Sequence, residues 1–273
     1  MSSLGGLTFQ RNLLTLISTF IIISEGLIVQ VLGIDIGGSG IKGAPVEVHK
    51  GKLLAKRVRI ATPDPPTAKK VTQVVNDIVQ YFDWQGKIGV GFPGIVKDGQ
   101  IMTAANMHES WVHLHAENLF AERTQCPCTL VNDADAAGLA EMRHGAGKGR
   151  KGKVIMLTFG TGIGSALFLD GKLVSNTEFG HLQLHGKIAE ARVSDRARTQ
   201  KRLSWKVWGK RVVEYLAHLE LLFSPDLFII GGGASKDFEL FKKSLKALNT
   251  EIIPAQHGNT AGILGAAMAG SNE

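Results

Sequence analysis

The chain has 273 residues, of which 44% are hydrophobic and 20% charged, and its formal net charge is +7. The apolar content excludes a disordered chain, and 33 glycines without a three-residue period, beside only 8 prolines, exclude collagen. The length predicts one large domain or two lobes, either of which can bury a sizeable core. The positive charge is compatible with an anionic partner, but it also aids solubility, so the total alone decides nothing.

The first 27 residues contain an apolar run, residues 13–24, that follows a single basic residue, Arg11. The run has the length of a signal-peptide core and is short for a membrane span, and no small-residue cleavage site follows it. An export signal, a membrane-surface anchor and an extension that adds nothing to the fold are the three interpretations. We expect residues 1–27 to be a dispensable extension.

From Leu27 onward the sequence is that of an α/β protein, with short β-branched runs, glycine-rich turns and helical periods. The predicted strands, in chain order, are residues 28–36, 43–48, 52–60, 88–91, 95–97, 129–131, 154–159, 165–169 and 227–230. The predicted helices are residues 67–81, 114–124, 134–143, 204–222, 236–248 and 261–270.

Two cysteines, Cys126 and Cys128, lie on either side of Pro127. They are too few for a disulfide framework and awkwardly placed to bridge each other. A reducing compartment fits best, and we expect a cytoplasmic protein. A zinc site would need further ligands at a recognised spacing, which the nearby histidines do not supply.

Two glycine-rich segments, residues 34–41 and 157–164, resemble each other, and each joins two predicted strands as a hairpin turn. A glycine turn exposes several backbone N–H groups in one concavity and lacks the Cβ atoms that would keep an anion away. Neither segment fits the P-loop pattern, and neither opens a helix as the dinucleotide-binding fingerprint must. We therefore expect two similar lobes, each contributing one phosphate-binding turn to a shared cleft.

Acidic and amide side chains follow the strand at residues 129–131, where Asn132, Asp133 and Asp135 begin a helix of small residues. Capping the helix is the structural interpretation for Asp133 or Asp135, and catalysis is the other, because α/β sheets place their chemistry at the carboxyl ends of strands. Phosphoryl transfer needs a base to orient or deprotonate a hydroxyl, and one such Asp would suffice. Glu178, and Glu190 further along, add acceptors suited to the hydroxyls of a sugar.

Five motifs in order carry a family resemblance: DIGGSGIKG (35–43), NDADAAG (132–138), LTFGTGIGSAL (157–167), EFGH (178–181) and LFIIGGGASK (227–236). Together they resemble the ROK family of sugar kinases, within the hexokinase/actin-like superfamily, over nearly all of residues 28–270. Two features resemble the branch of the family that uses inorganic polyphosphate. They are the sequence that follows the second turn and an EFGH motif without a cysteine-rich zinc site after it.

The resemblance implies an α/β, two-lobed hexokinase/actin-like (ribonuclease H-like) fold with an interlobe cleft. It implies an N-terminal small lobe over residues 28–133, a C-terminal large lobe over residues 134–260, and a helix at about 261–270 that packs back on the first lobe. It further implies phosphorylation of the glucose 6-hydroxyl with Mg²⁺ as cofactor, and a homodimer. Structural zinc is not expected, since residues 182–210 contain no cysteine.

The resemblance also assigns roles to residues. Asp133 would be the catalytic base, and Asp35 would help to position Mg²⁺, indirectly. The sugar hydroxyls would be held by Asn106, Asn132, Asp133, Glu178, His181 and Glu190. The phosphates would be held by Asp35, Gly37, Gly38, Ser39, Gly40, Lys42, Thr161, Gly162 and Gly164, and a nucleotide or polyphosphate would meet Gly231, Gly232 and Gly233.

Two basic groups bear on the phosphoryl donor. One comprises Lys187, Arg192, Arg196, Arg198, Lys201, Arg202, Lys206, Lys210 and Arg211, and the other contains Lys148, Arg150 and Lys151. A solvated basic face is the default interpretation of a single run. Two groups in a chain with phosphate turns predict a path for a linear polyanion, and favour polyphosphate over ATP alone.

The alternatives are an ATP-dependent kinase for glucose or mannose and, in a different class, a sugar or polyphosphate sensor without catalysis. Intact Asp35, Asn132 and Asp133 argue against the sensor. A nucleic-acid partner is not expected, because no aromatic platform or recognised binding motif accompanies the charge.

Overall fold

A computed structural model describes residues 29–104 and 107–271. The N-terminal extension predicted for residues 1–27 lies outside the described residues. Within them, no helix combines the length and the apolar character needed to cross a membrane.

The first sheet is built on a hairpin whose turn is the first glycine-rich segment. Its strands are β1 (Gln30–Gly37), β2 (Gly40–Glu47), β3 (Lys52–Leu53), β4 (Val58–Ile60), β5 (Ile88–Phe92) and, after a separate short hairpin of β6 (Val96–Lys97) and β7 (Gln100–Ile101), β8 (Cys128–Asn132). The order is β3-β2-β1-β5-β8, with β4 also paired to β2, and β1, β5 and β8 run parallel. The carboxyl ends of β1 and β8, which carry Asp35 and Asn132, therefore lie at the same edge of the sheet.

The second sheet repeats this plan around the second glycine-rich turn. Its strands, with the separate hairpin β12 and β13, are β9 (Lys153–Phe159), β10 (Ile163–Leu169), β11 (Lys172–Val174), β12 (Gln183–Leu184), β13 (Lys187–Ile188), β14 (Leu227–Gly232) and β15 (Glu251–Pro254). The order is β11-β10-β9-β14-β15, and β9 and β10 form an antiparallel hairpin. The prediction that both glycine-rich segments are hairpin turns is confirmed.

Helices fill the space between the sheets and cover their outer faces. They are α1 (Ala68–Tyr81), α2 (Ala116–Thr124), α3 (Asp133–His144), α4 (Glu190–Val193), α5 (Asp195–Gln200), α6 (Trp205–Phe223), α7 (Phe238–Leu245) and α8 (Ala261–Gly270). Residues of α1 and α2 pack in the core of the first sheet, and those of α6 and α7 in the core of the second. A third core joins both sheets through α3 and α8.

The crossing of α3 and α8 depends on glycine at the point of contact. A Cβ atom at Gly265 of α8 would overlap the backbone carbonyl of Ala136 in α3. A Cβ at Gly89 of β5 would likewise overlap the carbonyl of Ala266. Glycine at both positions lets α8 lie directly on the first sheet and on α3.

Two predicted elements differ from the observed ones. The strand predicted over residues 52–60 is split into β3 and β4, because Pro45 of β2, opposite the break, has no N–H group to donate to a continuous ladder. The helix predicted over residues 236–248 begins as a 3-10 turn (Gly233–Asp237) and is α-helical only in α7. Its end tightens, with the amide of Leu248 donating to the carbonyl of Leu245 three residues earlier.

Candidate active site

Asp133 is the first residue of α3, at the carboxyl end of β8. The cap of α3 is Asn132, whose Oδ1 accepts hydrogen bonds from the amides of Ala134 at 2.8 Å and Asp135 at 3.0 Å. The structural interpretation, in which Asp133 or Asp135 caps this helix, is therefore wrong. Asn132 is the N-cap, and the Asp133 carboxylate, which bonds the backbone of Ala134, keeps some accessible surface.

The first glycine turn lies beside an ion pair. Asp35 on β1 is the register partner of Lys42 on β2, and Lys42 Nζ lies 3.1 Å from Asp35 Oδ2. Gly262, near the start of α8, faces the same carboxylate, and a Cβ there would come within 2.7 Å of Asp35 Cγ. The missing side chain thus leaves room for Asp35 beside the turn.

Arg59 is a residue of this site that the sequence interpretation missed. Its Nη2 donates to the carbonyl of Ser39 at 2.7 Å, and its guanidinium covers Gly40, where a Cβ would lie 2.6 Å from Arg59 Cζ. The signal that could have revealed it is the pairing of β4 with β2, which puts Arg59 opposite Lys42. Arg59 and Lys42 together place two cations at the first glycine turn.

The second glycine turn is held by the segment that contains α4 and α5. The Glu190 carboxylate accepts from the amide of Ile163 at 3.3 Å, and its Oε2 would lie 2.5 Å from a Cβ at Gly162. The amide of Arg196 donates to the carbonyl of Gly160 at 3.0 Å. Part of the basic segment 187–211 therefore lies directly against the predicted phosphate turn, whose Thr161 is exposed.

The acidic residues predicted to bind a sugar influence one another electrostatically. Burial, with smaller contributions from the charges of Asp35 and Glu178, raises the pKa of Asp133 to about 7. Burial also raises the pKa of Glu178, and the charge of Glu190 adds to the effect. His181 Nδ1 lies 3.5 Å from Glu178 Oε2. The structure thus brings Asp35, Asp133, Glu178, His181 and Glu190 into one group, although four separate segments supply them.

Two further predicted regions are a sugar contact and the nucleotide segment. Asn106 lies outside the described residues. Gly231 and Gly232 end β14, with Gly232 in the left-handed region at φ 75°, and Gly233 begins the 3-10 turn and faces the Asp195 carboxylate of α5. This segment is therefore adjacent to the basic residues of α5.

The basic residues at 148–151 lie beyond the opposite end of α3 from Asp133. A helix of twelve residues spans about 18 Å. Arg150 is engaged there, because its two terminal nitrogens bond both carboxylate oxygens of Glu251 at 2.8 and 2.9 Å. The structure does not bring Lys148, Arg150 and Lys151 together with Asp133.

The acidic group suits a magnesium ion in one respect and lacks the features of a self-sufficient metal site. Within the described ranges, no group of three or more His, Cys, Asp or Glu side chains is arranged to hold a metal ion. Mg²⁺, however, is usually held by one or two carboxylates together with substrate phosphates. Asp35 and Asp133 provide hard oxygen donors. The pKa of Asp133 is raised first by burial and then by the charge of Asp35, and a bound cation would relieve that second effect.

Comparison with known proteins places this arrangement in a family. The chain is 45% identical to the polyphosphate glucokinase of Mycobacterium tuberculosis (strain ATCC 25177 / H37Ra) over 87% of its length and 89% of that protein. It is 46% identical to the inorganic polyphosphate/ATP-glucomannokinase of Arthrobacter sp. strain KM, with a TM-score of 0.84 over 88% of this chain and 97% of that one.

A ROK family glucokinase from Streptomyces griseus, solved with glucose and AMPPNP, is 24% identical with a TM-score of 0.78 over 90% of this chain and 100% of that one, and it supports the fold alone. The predicted two-lobed hexokinase/actin-like fold is confirmed. The sequence profile of the ROK family matches residues 31–197. The chain belongs to the ROK family.

Proposed function

We propose that this enzyme transfers the terminal phosphoryl group of inorganic polyphosphate to the 6-hydroxyl of glucose, giving glucose 6-phosphate and a polyphosphate shorter by one unit. The observation that carries the proposal is that Asp133 interacts electrostatically with Glu178 and with Asp35 beside the first glycine turn, while the next residue, Ala134, packs against Gly164 of the second turn. The 45% identity to a mycobacterial polyphosphate glucokinase supports both the sugar and the donor.

Asp133 acts as the general base of the reaction. Its carboxylate orients the sugar 6-hydroxyl and takes its proton as the oxygen attacks the terminal phosphorus. The new O–P bond forms while the bond from phosphorus to the bridging oxygen breaks, and that oxygen leaves on the shortened chain. A pKa of about 7 keeps a substantial fraction of Asp133 ionised near neutral pH while leaving it basic enough to accept a proton.

The remaining residues bind and position. Asn132, Glu178, His181 and Glu190 hold the sugar hydroxyls, with Asn106 as a further predicted contact. Backbone N–H groups of Gly37–Gly40 and of Thr161, Gly162 and Gly164 face the phosphates. Lys42 and Arg59 add positive charge at the first turn. Asp35 would help to position Mg²⁺, indirectly, and the ion would supply positive charge that neutralises the transferring group.

Polyphosphate is favoured as donor because a group of basic side chains lies beside the second glycine turn, where the rest of a long phosphate chain could bind. The pKa of Lys201 is lowered chiefly by burial and, to a smaller extent, by the nearby charges of Arg211, Lys187 and Arg192. These four cations therefore lie close together, beside α4 and α5. A long polyanion can occupy such a surface, whereas the triphosphate of ATP is short.

ATP remains the second candidate donor. The Gly231–Gly233 segment, beside α5, is the surface proposed for a nucleotide. The similar Arthrobacter protein is described as a polyphosphate/ATP-glucomannokinase, which also makes mannose a candidate substrate.

The lobe boundaries at residues 28–133 and 134–260, the homodimer and the cytoplasmic location stay predictions. Light scattering of the purified protein tests the homodimer.

The test is a coupled assay for glucose 6-phosphate with the purified protein and Mg²⁺, comparing polyphosphate and ATP as donors and glucose and mannose as acceptors. We expect turnover of glucose with polyphosphate and a higher kcat/KM for polyphosphate than for ATP. Turnover with ATP alone would establish the ATP-dependent kinase instead. No turnover with either donor, together with measurable glucose binding, would establish the sensor.

A further inference from the structure

Hydrogen bonds, together with the short stretch of chain from Gly94 to Val96, form a closed ring that joins the start of α3 to two segments distant in sequence. Asn132 Nδ2 donates to the carbonyl of Gly94 at 3.0 Å. Two residues on, Val96 pairs its amide and its carbonyl with the side-chain amide of Asn176, both at 2.8 Å. The amide of Asn176 donates to Asp135 Oδ2 at 2.7 Å, and the amide of Asp135 donates back to Asn132 Oδ1 at 3.0 Å. We call these five residues the positioning ring.

Asp135 is the unusual member of the ring. It is fully buried, its Oδ2 accepts the bond from Asn176, and its Oδ1 has no hydrogen-bond partner among the described residues. It lines a cavity of about 340 Å³ together with Asp98, Glu117 and Asn132. Burying a carboxylate with so few partners costs free energy. Helix stability does not account for it, because Asn132 already caps α3.

Asn176 is equally specialised. Its backbone lies in the left-handed region at φ 61°, and its side chain bonds the backbone of Val96 much as a neighbouring strand would. Glu178, a predicted sugar ligand, follows two residues later. Beyond it, Ser165 accepts from the amide of Phe179 at 3.0 Å and donates to the carbonyl of Thr177 at 2.5 Å.

The segment that carries Glu178 is therefore held from two sides. Ser165 anchors it to its own sheet, through β10, and the positioning ring ties it to α3 and to the segment that follows β5 of the first sheet. The ring thus connects the element that carries Asn132 and Asp133 to the element that carries Glu178.

We propose that Asp135 and Asn176 are positioning residues, which hold Glu178 in register with Asn132 and Asp133 so that the sugar acceptors of both sheets are set before glucose binds. The inference rests on the proposed glucose site. Neither residue needs to touch the sugar, and neither belongs to the phosphate turns, so the ring should act on glucose affinity and leave donor affinity unchanged.

The first pair of variants separates the hydrogen bond from the charge. Asp135→Asn keeps an acceptor oxygen of the same size, and we expect a glucose KM within about threefold of wild type. Asp135→Ala removes the acceptor, and we expect the glucose KM to rise at least tenfold with the polyphosphate KM unchanged.

A second variant guards against misfolding of Asp135→Ala. Asn176→Gly keeps a residue that tolerates the left-handed backbone but removes both side-chain bonds to Val96, and we expect the same selective rise in glucose KM. Asp83→Gly is the matched control, because Asp83 is an exposed residue with φ 46° remote from the ring. We expect its kinetics to match wild type.

A measurement without substrate distinguishes failure of the ring from failure of the proposed function. Amide hydrogen exchange of residues 176–179 should speed up in Asp135→Ala and Asn176→Gly, and not in Asp83→Gly. Unchanged exchange, or glucose and polyphosphate KM values that rise together, would overturn the positioning role. Faster exchange in Asp135→Ala and Asn176→Gly, together with a wild-type protein that does not phosphorylate glucose, would leave the ring standing and remove the proposed function.

Discussion

Asp133 has the two properties that a general base for a sugar hydroxyl requires. It is enclosed by protein, which raises its pKa to about 7, and it keeps some accessible surface through which a hydroxyl can reach it. Asn132 caps α3 by accepting from the amides of Ala134 and Asp135, and a bond from the backbone of Ala134 to the Asp133 carboxylate partly offsets the rise in its pKa. The neighbouring Asp135 has a similarly raised pKa, again chiefly through burial, but it is fully buried and faces the positioning ring.

Asp133→Asn should abolish most turnover and stabilise the folded protein. Loss of a general base lowers kcat by about 10²- to 10⁴-fold. Because the folded pKa of about 7 is above the unfolded value, the folded state holds a proton that the unfolded state releases between about pH 4 and 7, and stability contributed by this group falls as pH rises through that range. We therefore expect a higher Tm than wild type at pH 8 without Mg²⁺ or substrate, and a smaller difference at pH 5.

Thermal unfolding at the two pH values and the coupled assay check both parts. Retention of substantial kcat would remove Asp133 from the role of base. A Tm difference independent of pH would show that its ionisation is not linked to folding.

At the scale of elements, the packing of α8 against α3 and the first sheet holds the helix that begins with Asp133 against that sheet. The chain returns to the first sheet only after completing the second, and α8 reaches close enough because glycine lies at the contact points. The third core, formed between the sheets, is made largely by these two helices. Their crossing therefore bears on stability and on the placement of Asp133 at once.

Gly265→Ala should be markedly destabilising. The added methyl would overlap the carbonyl of Ala136, a backbone atom that cannot turn aside, so the helices must separate. We expect the free energy of unfolding to fall by about 1 to 3 kcal/mol or more, measured by urea denaturation. Gly160→Ala is the control, because a Cβ at Gly160 meets nothing within 4 Å, and it should unfold like wild type. Equal stability of the two variants would contradict the close crossing.

At the scale of the whole molecule, the net charge of +7 is distributed unevenly with respect to the site. Residues near α4 and α5 lie against the second phosphate turn, whereas Lys148 and Lys151 are exposed beyond the far end of α3. Only a long donor could contact both groups. ATP could not, and this difference separates the two donors experimentally.

The double variant Lys148→Ala/Lys151→Ala should raise the KM for long-chain polyphosphate more than the KM for ATP. The difference should shrink as ionic strength rises, because contacts with a polyanion release counterions. Arg150→Ala should have a smaller effect, since that guanidinium is already paired with Glu251. Steady-state kinetics at two salt concentrations check this. Equal changes in both KM values would show that no polyphosphate path reaches residues 148–151.

The sequence alone determined the local features of the fold, such as turns and the starts of helices, because these depend on residues that are neighbours along the chain. The hairpin turns follow from glycines next to β-branched runs, and Thr67 and Ser204 cap α1 and α6 where the helical periods begin. The five motifs in order were enough to indicate the family, because their spacing is a property of the chain itself.

Only the tertiary structure decided which of these residues meet. Register between strands set Arg59 beside Gly40, the crossing of α8 set Gly262 against Asp35, and the fold placed Asn176 against Val96, 80 residues away. It also separated residues 148–151 from Asp133, although both flank the same helix. The physical reason is that such contacts depend on how sheets and helices pack, and packing joins residues whose separation along the chain carries no local signal.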